Sequence, residues 1–98
     1  MKNFTCTLTK SHIYGHRREE EDKKFGEVIF IIQAESHSAA SARFEQSAAS
    51  RDIPVTAEKQ ILNDTEDDEH TWSCCYIQHE TETNPNRTIW YLDISEEK

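Results

Sequence analysis

Glycine and proline are scarce, two of each in 98 residues. With Gly15 and Gly26 so far apart, no glycine-rich loop can cradle a phosphate. The same scarcity excludes collagen-like and linker-rich chains. No apolar stretch approaches the roughly 18 residues of a membrane-spanning helix. Met1-Lys2-Asn3-Phe4 lacks a long apolar segment, so no secretory signal is expected and a cytoplasmic location is. Basic residues are outnumbered, 11 Lys and Arg against 19 Asp and Glu, for a net charge of −8. Such a chain repels phosphate, so direct nucleic-acid binding is not expected. The three cysteines cannot all pair internally, and reduced, buried thiols in a reducing compartment are the simpler account.

What is present points to one domain over 1–98 with one core. Nine aromatic residues are spread along the chain, and the apolar residues fall in clusters although only 35% of the sequence is hydrophobic. The charge is lopsided: the first half is balanced and the whole acidic excess lies beyond residue 49. An acidic surface keeps a small protein soluble, and it also favours encounter with a basic partner. Three N-x-T sequons, at Asn3, Asn63 and Asn86, are read as chance in a Thr-rich strand protein.

Phe4, Cys6 and Leu8 alternate with Thr5, Thr7 and Thr9, which predicts a strand over about 3–13 with one buried and one wet face. A highly charged connection, 15–26, is expected as a solvated loop or the extension of a hairpin. Val28-Ile29-Phe30-Ile31-Ile32 is the strongest apolar run and predicts a central strand over 27–34, covered on part of both faces. Ser36, with Ser38 competing, is the expected cap of a helix over 37–50. Its apolar stripe is Ala40, Phe44 and Ala48, and it is expected to stop near Asp52, because Pro54 disfavours helical geometry at Ile53. Further strands are expected over 55–63, 70–80 and 87–94, with turns at 63–69 and 83–86. The order β-β-α-β-β-β predicts an α+β fold: a mainly antiparallel sheet with one helix packed on one face.

Reactive constellations are weak. His12 and His16 have a helical ligand spacing, but Gly15 lies between them and the flanks read as strand and loop. The remaining histidines, His37, His70 and His79, and the cysteines form no pair with supported metal-ligand spacing, so no metal or other cofactor is expected. Asp64, Glu66 and Asp68 alternate like calcium-loop ligands, yet the turn glycine and the bidentate Glu are lacking. Nothing resembles a serine or cysteine nucleophile held beside an oriented base, so no enzymatic activity is expected. The acidic turn Asp64, Glu66, Asp67, Asp68 and Glu69 has two readings, a solvated turn or a docking patch for Lys and Arg. Trp72 and Trp90 are expected in the core, with Tyr91 the better candidate for exposure on a bare sheet face.

The segment Ile31-Ile32-Gln33-Ala34-Glu35-Ser36-His37-Ser38-Ala39-Ala40 runs from a strand into an Ala-rich helix, and the chain closes on an aromatic hairpin with Trp72, Trp90 and Asp93. With the length and strand order, this layout resembles small phage and mobile-element anti-CRISPR proteins, in particular a type I-F inhibitor. The chain departs from that group in its charged connection and strong acidity. The resemblance implies a non-enzymatic inhibitor that binds a CRISPR–Cas effector complex and blocks guide pairing, target DNA or nuclease recruitment. Its partner would be a basic, nucleic-acid-binding protein, reached through Asp64, Glu66, Asp67, Asp68, Glu69 and Tyr91. A self-associating module, forming a homodimer through a sheet edge or a bare face, is the competing expectation.

Overall fold

Alternation along the first strand sets the frame. Phe4 and Cys6 are buried, while Thr5, Thr7 and Thr9 occupy the other face. The computed structural model describes residues 1–14, 23–47, 51–66, 71–83 and 85–97, with backbone alone for 12–14 and 23–26. Its elements are β1 (Lys2–Tyr14), β2 (Lys23–Ala34), α1 (His37–Gln46), β3 (Glu58–Asn63), β4 (Trp72–Gln78) and β5 (Asn86–Glu96). The strands form one five-stranded sheet in the order β2-β1-β5-β4-β3, with every pairing antiparallel. The α+β architecture is the one the sequence predicts.

The core lies between the helix and one face of the sheet. Phe4 and Cys6 of β1, Ala34 of β2, Trp72, Cys74 and Tyr76 of β4, and Trp90, Leu92 and Ile94 of β5 pack against Ala40 and Phe44 of α1. Phe44 is the anchor. Its ring stacks on Phe30 of β2 with centroids 5.6 Å apart and lies 6.1 Å from the ring of Tyr76 on β4. One helical side chain thus spans the sheet from its β2 side to its β4 side. Ala40 and Ser41, both buried, are small enough to let the helix lie close.

The helix starts where its cap predicts. Ser36 Oγ accepts from the Ala39 N–H at 3.1 Å, and the Ser36 carbonyl accepts from the Ala40 N–H at 2.9 Å. It ends at Gln46, short of the expected stop near Asp52. There the Ser47 N–H and hydroxyl both bond the Phe44 carbonyl, at 3.0 and 2.7 Å, offering it a non-helical partner. Ala48 lies outside the described residues. β3 also begins later than expected, because Pro54 and Ala57 close a turn through a 3.0 Å backbone bond and Val55 is exposed on it.

β2 is the main correction. The sequence predicts a central strand there, but β2 is an edge, and the middle of the sheet is β5. Phe30, Ile32 and Ala34 face the core, whereas Ile29 and Ile31 are exposed on the opposite face. The apolar run is therefore half core and half surface. Replacing Phe44 by Ala should cost about 3–5 kcal/mol in urea unfolding, the usual range for emptying a buried aromatic site. Gln46→Ala, on the exposed side of the same helix, should stay within about 0.5 kcal/mol.

Candidate interaction surface

Three parts of the molecule carry polar or apolar groups beyond what the core uses. The first joins the helix to the β3 edge. Lys59 Nζ donates to Glu45 Oε1 at 2.7 Å and to Ser41 Oγ at 3.2 Å, and Tyr76 OH donates to the same Glu45 oxygen at 2.9 Å. The ammonium also lies 6.0 and 5.8 Å from the ring centres of Trp72 and Tyr76, within reach of their π faces. Beside this cluster is a cavity of about 270 Å³ walled by Phe44, Ile53, Pro54, Val55 and Ala57.

This cluster ties the end of α1 to β3 and β4. Burial, reinforced by Cys74 and Glu45, pushes the Tyr76 hydroxyl well above its ordinary value. Burial likewise raises Cys6 to about 11 and raises Cys74 and Cys75. All three thiols are free and buried, as the sequence predicts, and they are protonated at neutral pH, the less nucleophilic form. An aromatic disulfide reagent at pH 7.5 should therefore titrate no thiol in the native protein and three after denaturation. Fast reaction of any thiol in the native state would contradict the burial.

The second part is the acidic turn. Among its residues, Asp64 is exposed at the end of β3. Asp67, Asp68 and Glu69 lie outside the described residues. Glu66 turns back onto the helix: Oε2 accepts from the His37 N–H at 2.9 Å and Oε1 from the Ser38 N–H at 3.1 Å. His37 Nδ1 lies 3.1 Å from Oε2, and the buried imidazole packs edge-on against Phe4 at 4.7 Å. The Glu66 carboxylate thus satisfies two orphan helix N–H groups and sits at the positive end of the helix dipole. This is a structural employment for a side chain that the sequence offered as a docking acid. Its signal was only its type, because the partner lies 29 residues away.

Burial raises the Glu66 carboxyl, but hydrogen bonds from Ser38 and His37 outweigh it and the net shift is downward. A depressed carboxyl stabilises the fold above its unfolded value of about 4.3 and loses that contribution as pH falls through its folded value. Glu66→Gln should cost about 1 kcal/mol at pH 7, the scale of a helix cap at a partly exposed site. The gap between variant and parent melting temperatures should close between about pH 5 and pH 3. A gap independent of pH would mean that the carboxylate charge is not what holds the helix.

The third part is the second face of the sheet, where no described helix packs. Cross-strand register sets out two rows, Ile31–Thr5–Ser95 and Ile29–Thr7–Asp93–Ser73. Ile29, Ile31 and Asp93 are exposed. The next row holds Thr9, Tyr91 and Cys75, and there Tyr91 is half-buried, while Ser11 and Ile89 beyond it are buried. Trp72 and Trp90 are in the core, as expected. Ile29 and Ile31 are the surface residues that sequence reading missed. A signal existed: they pair with Thr7 and Thr5, and a Thr row marks a wet face that its neighbours share.

His79 Nε2 lies 2.9 Å from Glu58 Oε2 on the β3 edge. No group of three or more His, Cys, Asp or Glu side chains with metal-holding geometry occurs among the described residues. No described helix is long and apolar enough to cross a membrane. No family model, curated protein or solved structure matches the chain.

Proposed function

We propose that this protein works by recognition, binding another protein through the second face of its sheet and the acidic side of the β3–β4 connection. The observation that carries this reading is the exposed part of that face, around Ile29 and Ile31. A monomer gains nothing by exposing Ile29 and Ile31 beside Thr5 and Thr7, and apolar groups set among hydroxyls are the composition of a protein contact surface. The acidic excess beyond residue 49 favours a partner rich in Lys and Arg. A CRISPR–Cas effector complex, the class named by the resemblance of the strand-to-helix segment, offers such a surface because it holds nucleic acid in positively charged channels. Asp64, Asp67, Asp68 and Glu69 supply charge-assisted contacts, and half-buried Tyr91 is the aromatic anchor.

The test is capture of purified effector complexes on the immobilised protein, alongside an interference assay. Neutralising the acids while sparing the helix cap (Asp64→Asn, Asp67→Asn, Asp68→Asn, Glu69→Gln) should weaken binding and flatten its salt dependence. Tyr91→Ala should weaken it by at least about 30-fold if the ring is a true anchor. Retention of full inhibition by both variants would misplace the surface, and failure to bind any complex would remove the CRISPR target.

A further inference from the structure

Of the two edges of the sheet, β3 is the shorter and β2 the longer, with the longer apolar run. β3 has only six residues and a register irregularity between Ile61 and Asn63, features that discourage strand pairing, although Ile61 and Leu62 are exposed on it. β2 has twelve residues and no proline. Its only register irregularity lies at the far end, near Lys24. Val28, Ile29 and Ile31 are 56%, 62% and 59% exposed. Val28 is on the helix face and the two isoleucines are on the other, so the edge is apolar above and below. A long edge of this kind is a template for another strand.

We infer that the occupant of this edge is a second copy of the same chain, its β2 running antiparallel to the first about a two-fold axis at Phe30. The inference does not depend on which partner is chosen above, although Ile29 and Ile31 belong to both surfaces. It rests on self-complementarity, the requirement of any two-fold interface. Val28-Ile29-Phe30-Ile31-Ile32 reads nearly alike in both directions. Centred on Phe30, Ile29 meets Ile31 of the second copy and Val28 meets Ile32 of the second copy. The two isoleucine pairs then form one cluster of four on the second face. At the ends of the run Glu27 falls opposite Gln33 of the second copy, so no like charges oppose.

Neighbouring registers are worse. Centring on Ile31 sets Glu27 against Glu35 of the second copy, and like charges directly opposite destabilise a strand pair. Centring on Ile29 sets Glu27 against Ile31 of the second copy and leaves the carboxylate among apolar groups. The Phe30-centred dimer has a continuous ten-stranded sheet, two copies of the five-stranded one, with both second faces on the same side. An interface of one strand pair is small, so the association is weak, with a Kd on the order of 10 micromolar. The net charge of −8 per copy makes the copies repel, and added salt strengthens the dimer by screening.

Sedimentation velocity across about 1–200 micromolar, bracketing that Kd, tests the association. The mass should rise toward that of a dimer, and more so at high salt. Ile29→Lys with Ile31→Lys, both at exposed positions, should leave the circular dichroism unchanged and hold the protein monomeric. The register is tested by Glu27→Cys with Gln33→Cys, oxidised with diamide. Opposite residues of an antiparallel pair have Cα atoms about 4.5–5.5 Å apart, which suits a disulfide, whereas within one strand these positions are about 20 Å apart. Covalent dimer in this variant supports the Phe30-centred pairing. A wild-type protein monomeric throughout, or a dimer undisturbed by the two lysines, overturns the proposal. Cross-linking of Glu27→Cys with Ile31→Cys in place of the first pair overturns the register.

Discussion

Phe44 is the point at which the one helix holds the sheet, and its reach sets what the rest of the molecule can do. A ten-residue helix is about 15 Å long and about 10 Å across. Five strands at about 4.8 Å spacing make a sheet about 19 Å wide between its outer strands. α1 therefore covers only part of one face, and its side chains reach further across it. On the β2 side that reach is the Phe44–Phe30 stack. On the β3 side it is Lys59 extending back to Glu45 and Ser41. Among the described residues, Val28, Ile29 and Ile31 of β2 and Asp93 on the second face remain exposed.

Glu66 adds a second constraint of a different kind. It fixes the stretch after β3 to the first turn of the helix through two backbone N–H groups, so two segments far apart in sequence share one local structure. Together with Ser36 it leaves little of the helix N-terminus unsatisfied. The acidic turn is thus divided in its employment. One carboxylate holds the fold, while Asp64 faces outward.

Much of the fold is legible in local patterns because local patterns are what strand and cap physics act on. The Thr alternation of β1, the Trp72–Cys74–Tyr76 and Trp90–Leu92–Ile94 rows and the Ser36 cap all describe structure decided within a few residues. The place of β2 is not decided that way. A β-branched apolar run suits a strand buried on both faces, and it equally suits an edge that is dry on one side and exposed on the other. The Thr face of β1 distinguishes them, but only once β1 and β2 are paired. Glu45, Lys59 and Tyr76 are likewise unremarkable in sequence, and they meet only because the fold brings the end of α1 within reach of β3 and β4 side chains. The acidic cluster was legible as charge, whereas the inward turn of Glu66 depends on where the helix begins in space.

The strand order also governs when the fold can be completed. β5 follows the other four strands in the sequence and lies in the middle of the sheet, joining the β1–β2 hairpin on one flank to the β3–β4 hairpin on the other. During synthesis the two hairpins must wait apart until Asn86–Glu96 has left the ribosome, and only then does Glu97 donate to the Asn3 carbonyl at 2.8 Å. Formation of the native sheet is thereby late and non-local. Until then the growing polypeptide shows two incomplete half-sheets to the cell, the state in which chaperone capture or premature association has its opportunity.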